Sequence, residues 1–465
     1  MQHATFEKLA QTVGDNGCLT GDDIGPRYYT DPRGEGPARP ELVLRPASTQ
    51  DVSDILRICD TARQPVVVQG GMTGLVNGAC PQAGEIVLSM ERMNRIETLD
   101  ARARTMTVQS GTPLQVIQEA ADARGLLFPL DLGARGSCTI GGNLATNAGG
   151  NRVIRFGMTR DLTLGIEAVL ANGTIVNGLT GFIKNNTGYD LKQMFIGSEG
   201  TLGIVTRATL RLFPKPQSQI VAVCSLESFD DVTAFLAHMQ SGIGADLSAF
   251  EVLWSKTYDI VGDFVPSVKL PLERGHAFYV LTEMMGSDPA ADQDRFETVL
   301  GAALEAGLIS DAVVSKSEAE VGSLWDVRDG MAHGINAQSP AVGFDISLEQ
   351  ARMADLESEL TGRLARAFDA PQVLIGGHLG DGNLHLSVKS MSAADNQPYA
   401  LIEDIVYGWV GENGGSISAE HGIGLYKRRH LPQSRSPEEL DLMRILKQAM
   451  DPNGVLNPGR ILGNY

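Results

Sequence analysis

Short aliphatic runs alternate with amphipathic stretches through the first 215 residues. In the stretch from Ser48 to Arg63, Val52, Ile55 and Leu56 recur near helical spacing, and Ser48 can cap the helix. Strands and helices mix here without the regular strand–helix–strand alternation of a doubly wound parallel sheet. The predicted elements are strands 41–46, 65–69, 86–89, 105–109, 164–170, 174–176 and 203–212 and helices 48–63 and 113–124.

The pattern changes after a Pro-Lys-Pro sequence at 214–216, which predicts a domain boundary. Segment 249–253 fits either a strand or the start of a helix. The other predicted elements are strands 220–225, 276–283, 342–347 and 373–376 and helices 229–239, 291–306, 318–329, 354–367, 402–412 and 437–450. We predict an α+β fold, with a first domain at 1–215, a second α+β domain with an antiparallel sheet at 216–410, and a helical C-terminal segment at 411–465 that packs back on the first domain.

Length and composition predict a folded protein of two or three domains. The 465 residues are 43% hydrophobic and 20% charged, which is enough for a sizeable core. The formal net charge of −18 disfavours nucleic acid and anionic membranes as partners. The five cysteines have no Cys-x-x-Cys spacing and are expected to be reduced thiols inside a cell. No signal peptide or membrane-spanning run is recognisable, so we expect a cytoplasmic location.

A glycine-rich stretch from Pro129 to Gly157 is the most unusual segment of the chain. It reads PLDLGARGSCTIGGNLATNAGGNRVIRFG, with small polar residues among the glycines. Glycine permits close backbone approach and positive φ, and Thr and Asn supply hydrogen-bonding groups without bulk. Loops of this length are rarely without structure in compact domains. The stretch therefore favours a wall along an extended, phosphate-bearing ligand over an ordinary surface loop.

A second glycine-rich segment, PVVVQGGMTGL at 65–75, lies upstream. Its paired glycines follow a β-branched run, where successive backbone N–H groups can form an anion-binding nest. It is neither a Walker loop nor a GxGxxG sequence. Together, the two segments resemble the FAD-binding domain of the vanillyl-alcohol oxidase and p-cresol methylhydroxylase flavoprotein superfamily. In that superfamily the first loop holds the pyrophosphate, and the second lines the ribityl chain and the isoalloxazine.

This resemblance implies FAD as the cofactor. The residues implied to contact it are Gly70, Gly71, Thr73, Gly74, Leu75, Pro129, Gly136, Ser137, Thr139, Gly141, Gly142, Asn143, Thr146, Asn147, Gly149, Gly150, Gly157, Ile204 and Asn457. A histidyl link from either loop is excluded, because only His3 precedes residue 238 among the eight histidines. Cys138 could form a thioether, but a small residue packed beside the flavin is the favoured interpretation. The FAD is therefore expected to be non-covalent.

Three histidines and a glutamate gather in one window near the C-terminal end: His378, His385, Glu420 and His421. Each by itself is most often an ordinary polar residue. Imidazole and carboxylate ligands suit Zn²⁺, Mn²⁺, Fe²⁺ or Co²⁺. Three protein ligands with an open position are typical of a catalytic site. The spacing alone leaves a metal site and a set of unconnected polar residues both open.

Longer motifs occur in the order found in bacterial and mitochondrial D-2-hydroxyacid dehydrogenases. They are SGTPL, LDLGARGSCTIGGNLATNAGG, IGSEGTLGIVT, HLGDGNLH, SAEHGIG and DPNGVLNPG. The chain resembles this family from about residue 40 to its end, and the D-2-hydroxyglutarate dehydrogenase branch in particular. The resemblance implies a divalent metal, usually zinc, on His378, His385 and Glu420. It also implies that His421 is the general base.

The same resemblance implies the reaction, which is oxidation of a D-2-hydroxy acid to the 2-oxo acid. The hydroxyl proton passes to His421 and a hydride passes from C2 to flavin N5, while the metal orients the substrate. Arg328 binds the substrate carboxylate, and Asn383 lies beside the substrate. The expected electron acceptor is an electron-transferring flavoprotein, a quinone or a cytochrome. A homodimer is one candidate assembly, and the oligomeric state stays open.

Two other functions are compatible with these residues. A metal-dependent hydrolase could use the histidines and the glutamate beside vestigial FAD loops. A non-catalytic flavoprotein subunit of a larger complex is disfavoured, because the whole set of histidines and the glutamate is present.

The substrate is predicted from departures from the hydroxyglutarate branch. In that branch a threonine and a lysine after the arginine hold the distal carboxylate, whereas this chain has Ala332 and Gly343 there, and Ser387 replaces an asparagine. A methyl group and a hydrogen cannot pair a buried carboxylate. We therefore predict a preference for D-lactate, for longer aliphatic or aromatic D-2-hydroxy acids, or for D-malate. D-2-hydroxyglutarate stays the alternative. Candidate groups for its distal carboxylate are His333, Asn336 and Gln338.

Overall fold

The structure of the protein is a computed structural model that describes residues 1–463, apart from the side chain of Glu35. The chain divides into two compact units. The first unit holds residues 1–150, 157–215 and the C-terminal segment from Glu420, and the second holds residues 151–156 and 216–419. None of the described helices is both long enough and apolar enough to cross a membrane.

Two sheets form the first unit. In one, Leu42–Leu44, Ile86–Ser89 and Val66–Gln69 are parallel, and Cys18–Thr20 is antiparallel to its neighbour. The other is antiparallel, with strands in spatial order Ile175–Asn177, Thr163–Val169, Ile204–Arg211, Thr105–Gln109 and Ile96–Asp100. Short pairs join Leu126–Leu127 to Phe213–Pro214 and Thr30–Asp31 to Gly34–Glu35. The α-helices are His3–Val13, Thr49–Ala62, Leu114–Asp122, Ile140–Thr146, Lys192–Phe195 and Pro437–Met450.

Helix Thr49–Ala62 covers the parallel sheet of the first unit. It begins where the sequence predicts, because Ser48 Oγ accepts a hydrogen bond from the backbone N–H of Asp51. Its apolar face lies fully buried against the strands, and burial of each large aliphatic side chain contributes about 1.5–3 kcal/mol. This packing fixes strand Val66–Gln69, which leads into the glycine-rich turn at Gly70.

A seven-stranded antiparallel sheet forms the second unit. Its strands in spatial order are Asp311–Val314, Ser218–Leu226, Phe278–Gly286, Leu247–Trp254, Pro371–His378, Asn383–Ser390 and Val342–Ser347. The α-helices are Val153–Phe156, Phe229–Ile243, Ser255–Phe264, Pro289–Glu305, Glu318–Ala337, Gln350–Met353, Leu356–Ala367 and Tyr399–Glu412. The predicted α+β class and the antiparallel sheet are confirmed, and segment 249–253 is part of a strand.

Helix Glu318–Ala337 is two turns longer than the sequence predicts. Its extension contains Gly330 and Gly334, and each glycine weakens a helix by about 1 kcal/mol relative to alanine. The neighbouring helix explains both glycines, because added Cβ atoms would lie 2.9 Å from a Val261 methyl and 2.8 Å from an Ile260 methyl. The glycines therefore permit a close helix–helix contact.

Candidate functional site

The first unit contains a cavity of about 360 Å³, a size typical of small-molecule sites. One wall is the turn Gly70–Leu75, and the other is formed by helix Ile140–Thr146 and its surroundings. Met72 in the turn has φ +55°, a left-handed conformation of the kind found in anion-binding nests. Both glycine-rich segments thus line one cavity.

Glycines at two positions in these walls have different roles. A Cβ on Gly71 would overlap the backbone carbonyl of Ser137. A Cβ on Gly142 would meet only the Thr139 hydroxyl among the described residues, at 3.6 Å. Gly71 is therefore required for packing within the protein, whereas Gly142 leaves open space in the cavity.

Several residues of the cavity wall have a polar atom that is buried without a hydrogen-bond partner among the described residues. These atoms include Ser110 Oγ, Thr139 Oγ1 and Asn143 Oδ1. Leaving such a group unpaired costs about 1–3 kcal/mol. A ligand with several hydroxyl, phosphate and ring polar groups would satisfy these atoms. The residues of this wall therefore fit FAD.

Most of the predicted FAD contacts line this cavity. They are Gly70, Gly71, Thr73, Gly74, Leu75, Thr139, Gly141, Gly142, Asn143, Thr146, Gly149, Ile204 and Asn457. Six others lie outside the lining: Pro129, Gly136, Ser137, Asn147, Gly150 and Gly157. Two of these six support the wall. Asn147 ends the helix with φ +50°, and the Gly150 N–H donates to Glu420 Oε1 at 2.6 Å.

Cys138 also lines the cavity and is only 3% exposed. Burial raises the pKa of its thiol, although a hydrogen bond from Asn143 partly opposes this. The thiolate, which is the nucleophilic form, is therefore disfavoured. This environment supports the expectation that Cys138 packs beside the cofactor without bonding to it.

The segment that carries Glu420 and His421 lines the same cavity. Glu199 holds this segment, because the backbone N–H groups of Ile423 and Gly424 donate to its carboxylate at 2.7 and 2.8 Å. Burial raises the pKa of Glu199, and these two hydrogen bonds partly oppose the rise. Glu199 has φ +50°, which is uncommon for a residue other than glycine. Sequence reasoning missed this role, although the residue lies within the IGSEGTLGIVT motif.

A buried ionic cluster lies on the sheet of the second unit. Glu251, 1% exposed, is directly opposite His378 on the neighbouring strand. His378 Nδ1 lies 2.7 Å from Glu251 Oε1, and Arg328 Nε donates to Glu251 Oε2 at 2.8 Å. Arg328 also donates to His378 Nε2 at 2.9 Å. Burial opposes ionisation of Glu251, but its interactions with His378 and Arg328 outweigh the effect of burial and lower its pKa to about 2.

His385 lies beside this cluster, with its ring centroid 5.2 Å from that of His378. The hairpin accounts for this contact, because His378 ends one strand and pairs with Asn383 at the start of the next. Asp345 lies opposite His385, and Asn383 Nδ2 donates to Asp345 Oδ1 at 2.9 Å. Two neighbouring imidazoles are suitable ligands for a divalent metal. The third predicted ligand, Glu420, belongs to the first unit.

The positions predicted to set substrate choice lie near the cluster in the second unit. Ala332 follows Arg328 by one turn of the same helix. Gly343 pairs with Ser387 across neighbouring strands. A Cβ on Gly343 would have nothing within 4 Å among the described residues, so this position offers open space.

Lys389 is a cation that sequence reasoning missed. It lies on the same strand face as His385 and Ser387, because alternate residues of a strand share a face. Its ammonium donates to the carbonyl and side-chain oxygens of Gln338 at 2.8 and 3.3 Å. The alternation of the segment NLHLSVKS was the available signal.

Known proteins match the chain along most of its length. The family model for an FAD binding domain matches residues 40–178, and that for the C-terminal domain of FAD linked oxidases matches residues 215–461. These matches define the class as an FAD-linked oxidoreductase. The mitochondrial D-2-hydroxyglutarate dehydrogenase of Arabidopsis thaliana is 40% identical, over 91% of this chain and 75% of its own. A putative mitochondrial D-lactate dehydrogenase of Schizosaccharomyces pombe is 39% identical, over 90% and 81%.

The fold agrees with these matches. The structure of p-cresol methylhydroxylase with bound substrate superposes with a TM-score of 0.76 at 16% identity, covering 100% of this chain and 98% of that one. The chain therefore belongs to the FAD-dependent D-2-hydroxyacid dehydrogenases of the vanillyl-alcohol oxidase and p-cresol methylhydroxylase superfamily, with relatives in the D-2-hydroxyglutarate dehydrogenase branch.

The expected cytoplasmic location is wrong. The relatives from Arabidopsis thaliana, Bos taurus and Schizosaccharomyces pombe are mitochondrial proteins by name. The expectation rested on the lack of a recognisable targeting segment, and that lack carries no information about a compartment.

Proposed function

We propose that the protein oxidises a D-2-hydroxy acid to the 2-oxo acid and passes the electrons to a separate acceptor. The main support is that His421, the predicted general base, lines the same cavity as the predicted FAD contacts. A base beside a flavin site is what removal of a hydroxyl proton together with a hydride requires. D-2-hydroxyglutarate and D-lactate, the substrates in the names of the relatives, are both D-2-hydroxy acids.

The turn Gly70–Leu75 and the wall around Gly142 would hold FAD without a covalent link. When bound, FAD supplies the acceptor for the hydride from C2. Ser110, Thr139 and Asn143 would give it hydrogen bonds through their buried polar atoms. Acid precipitation tests whether FAD is bound non-covalently. All the yellow colour should move to the supernatant, and colour retained in the pellet would show a covalent bond.

His378, His385 and Glu420 are the proposed ligands of a divalent metal, with Zn²⁺ favoured and Mn²⁺, Fe²⁺ and Co²⁺ as alternatives. When bound, the metal polarises the substrate hydroxyl. Glu251 engages Nδ1 of His378, so Nε2 is the proposed donor, and a metal there would replace the Arg328 N–H. Chelation should stop flavin reduction by substrate and leave the FAD spectrum intact. Full turnover after complete demetallation would rule out a catalytic metal.

Three side chains of the protein would act on the substrate. His421 would take the hydroxyl proton, since a neutral imidazole suits this task. Arg328 would bind the carboxylate, for which the planar guanidinium is well shaped. Asn383, whose Oδ1 is buried without a partner among the described residues, would lie beside the substrate.

For the substrate, we propose a D-2-hydroxy acid without a second carboxylate at the glutarate position. The support is the pair Ala332 and Gly343, which offer neither a cation nor a hydrogen-bond donor in their side chains. The open space at Gly343 would admit a longer aliphatic or aromatic group. D-Lactate and such longer acids are the expected substrates, and D-malate is a further one.

D-2-Hydroxyglutarate is the second candidate, and Lys389 specifically favours it. Lys389 lies on the strand face that also carries His385 and Ser387. Its ammonium is held by neutral oxygens of Gln338. A carboxylate would attract the ammonium more strongly than those oxygens do. Lys389 would then replace the lysine that is absent at position 343.

The ratio of kcat/KM values separates the two candidates. If D-2-hydroxyglutarate exceeds every monocarboxylate by about ten-fold, or roughly 1.4 kcal/mol, the first candidate is wrong. Lys389→Met should remove that excess if Lys389 binds the distal carboxylate, and Lys256→Met, an exposed lysine of the same unit, is the control. If monocarboxylates are preferred, Ala332→Thr with Gly343→Lys should raise the relative activity on D-2-hydroxyglutarate.

An electron-transferring flavoprotein, a quinone or a cytochrome is the proposed electron acceptor.

The flavin spectrum separates the dehydrogenase from the metal-dependent hydrolase. A purified protein without a flavin spectrum would favour the hydrolase, whereas a flavin that bleaches with a 2-hydroxy acid would exclude the hydrolase.

A further inference from the structure

We propose that Glu251 is a positioning residue for this reaction, because its one carboxylate fixes both the tautomer of His378 and the direction of Arg328. The inference rests on the proposed function, in which His378 binds the metal and Arg328 binds the substrate. Glu251 itself would touch neither. It would act through the two side chains that do.

The hydrogen bonds around His378 determine where its proton lies. An arginine N–H can only donate, and Arg328 donates to Nε2 of His378 at 2.9 Å. That nitrogen therefore carries a lone pair, and the proton of the neutral ring is on Nδ1. Nδ1 then donates to Glu251 Oε1 at 2.7 Å. A lone pair on Nε2 is the state that binds a metal, and a carboxylate on the other nitrogen is the usual way to enforce it.

The second oxygen of Glu251 holds the arginine. Arg328 Nε donates to Oε2 at 2.8 Å, while Oε1 is taken by His378. The carboxylate thus bridges the two side chains with one oxygen each. Because Glu251 is 1% exposed, water does not compete for either oxygen. The bridge fixes the spacing between the proposed metal ligand and the proposed substrate cation.

The sheet makes this bridge rigid. Glu251 and His378 are direct neighbours in the register of strands Leu247–Trp254 and Pro371–His378. Thr257, in the helix that follows the first of these strands, also binds the second strand. Its hydroxyl donates to the Ile375 carbonyl at 2.8 Å and accepts from the Ile375 N–H at 3.0 Å. Movement of the Glu251 backbone would therefore require movement of the strands. A rigid support of this kind is what precise positioning of a ligand needs.

Glu283 provides a matched control on the same sheet. Like Glu251, it is fully buried and paired with an arginine, in this case Arg152 at 3.0 Å. Its other donors among the described residues are Gln219, Trp325 and Ser248, at 2.5, 3.0 and 2.7 Å, and none of them is a histidine. Glu283→Gln removes a buried charge as Glu251→Gln does, but it leaves His378 untouched.

Zn²⁺ affinity tests the proposal directly. Metal-stripped, FAD-loaded wild type, Glu251→Gln and Glu283→Gln would be titrated with Zn²⁺ in competition with a chromogenic chelator. Loss of such a supporting carboxylate typically weakens metal binding about 10–100-fold, and we expect this for Glu251→Gln with unchanged FAD content. Glu283→Gln should stay within about three-fold of wild type. The KM for substrate should also rise in Glu251→Gln, because Arg328 loses its support.

The outcomes separate this inference from the proposed function. Wild type that binds no Zn²⁺ would overturn both. Wild type that binds Zn²⁺ while Glu251→Gln binds it equally well would overturn the inference alone, as would an equal loss in Glu283→Gln. If Glu251→Gln does not fold, Glu251→Asp replaces it. This variant keeps the charge but is too short to reach both partners, so intermediate affinity is expected, and wild-type affinity would overturn the inference.

Discussion

Replacing Arg328 by methionine should lower the stability of the second unit by about 3 kcal/mol. Among the described residues, Arg328 is one of two hydrogen-bonded partners of Glu251, whose side chain is 1% exposed. Removing one partner of a buried pair costs about 3–5 kcal/mol, because the remaining charge is poorly compensated. We expect the lower end of this range, since His378 Nδ1 keeps its hydrogen bond to Glu251.

Hydrogen exchange measures this loss without assuming that the whole chain unfolds in one step. The relevant amides lie in strands Leu247–Trp254 and Pro371–His378. A loss of about 3 kcal/mol corresponds to roughly 150-fold faster exchange through the cooperative opening of this sheet. Lys256→Met is the control. The side chains of the Lys256–Glu357 pair are 61% and 33% exposed, and such surface pairs contribute little to stability.

A double variant tests the cause of the loss. Adding Glu251→Gln to Arg328→Met should restore most of the stability, because the buried charge is removed together with its partner. A loss below about 1 kcal/mol for Arg328→Met would refute the buried-pair account. A double variant that is no more stable than Arg328→Met would refute it as well.

Three further predictions concern acid stability, cofactor binding and chemistry. The pKa of Glu251 is lowered from 4.5 to about 2 in the folded state, so its ionised form stabilises the fold fully above about pH 4.5 and progressively less as the pH falls toward 2. The stability gap between wild type and Glu251→Gln should therefore narrow below pH 4.5 in unfolding titrations, and a constant gap would contradict this. Gly142→Trp should purify without FAD and Gly142→Ala with it, since only the large side chain fills the cavity; a flavin spectrum in Gly142→Trp would show that the cofactor lies elsewhere. His421→Ala should retain FAD but reduce it about 10²–10⁴-fold more slowly with substrate, and near-normal stopped-flow rates would remove His421 from the role of base.

The glycine-rich cavity could be predicted from sequence because its signals are local. Paired glycines and small polar residues mark both walls within short segments, and most of the predicted contacts line one cavity. The sequence predicts that both Gly71 and Gly142 contact FAD, whereas the structure gives the two glycines different surroundings. A Cβ on Gly71 would overlap the Ser137 carbonyl, whereas Gly142 faces open space. This difference depends on the distance between two loops.

The contact between Glu251 and His378 could not be predicted, because it arises from pairing between strands that are far apart in the sequence. Glu251 and His378 are 127 residues apart in sequence, and nothing near either one indicates the other. His378 and His385 were predictable as a pair, but the hairpin that joins them was not recognised. The alternation in NLHLSVKS predicts its second strand, and Gly382, with φ +83°, provides the turn.

The rate of flavin reduction under anaerobic conditions tests the central claim most directly. FAD-loaded, Zn²⁺-supplied protein would be mixed with the D and L enantiomers of lactate, 2-hydroxyglutarate, malate and longer 2-hydroxy acids, and the flavin absorbance would be followed. We expect complete bleaching by at least one D enantiomer and none by its L counterpart, because a fixed base, cation and flavin face accept one configuration at C2. A flavin that stays oxidised with every D-2-hydroxy acid, or that is bleached equally by both enantiomers, would contradict the account.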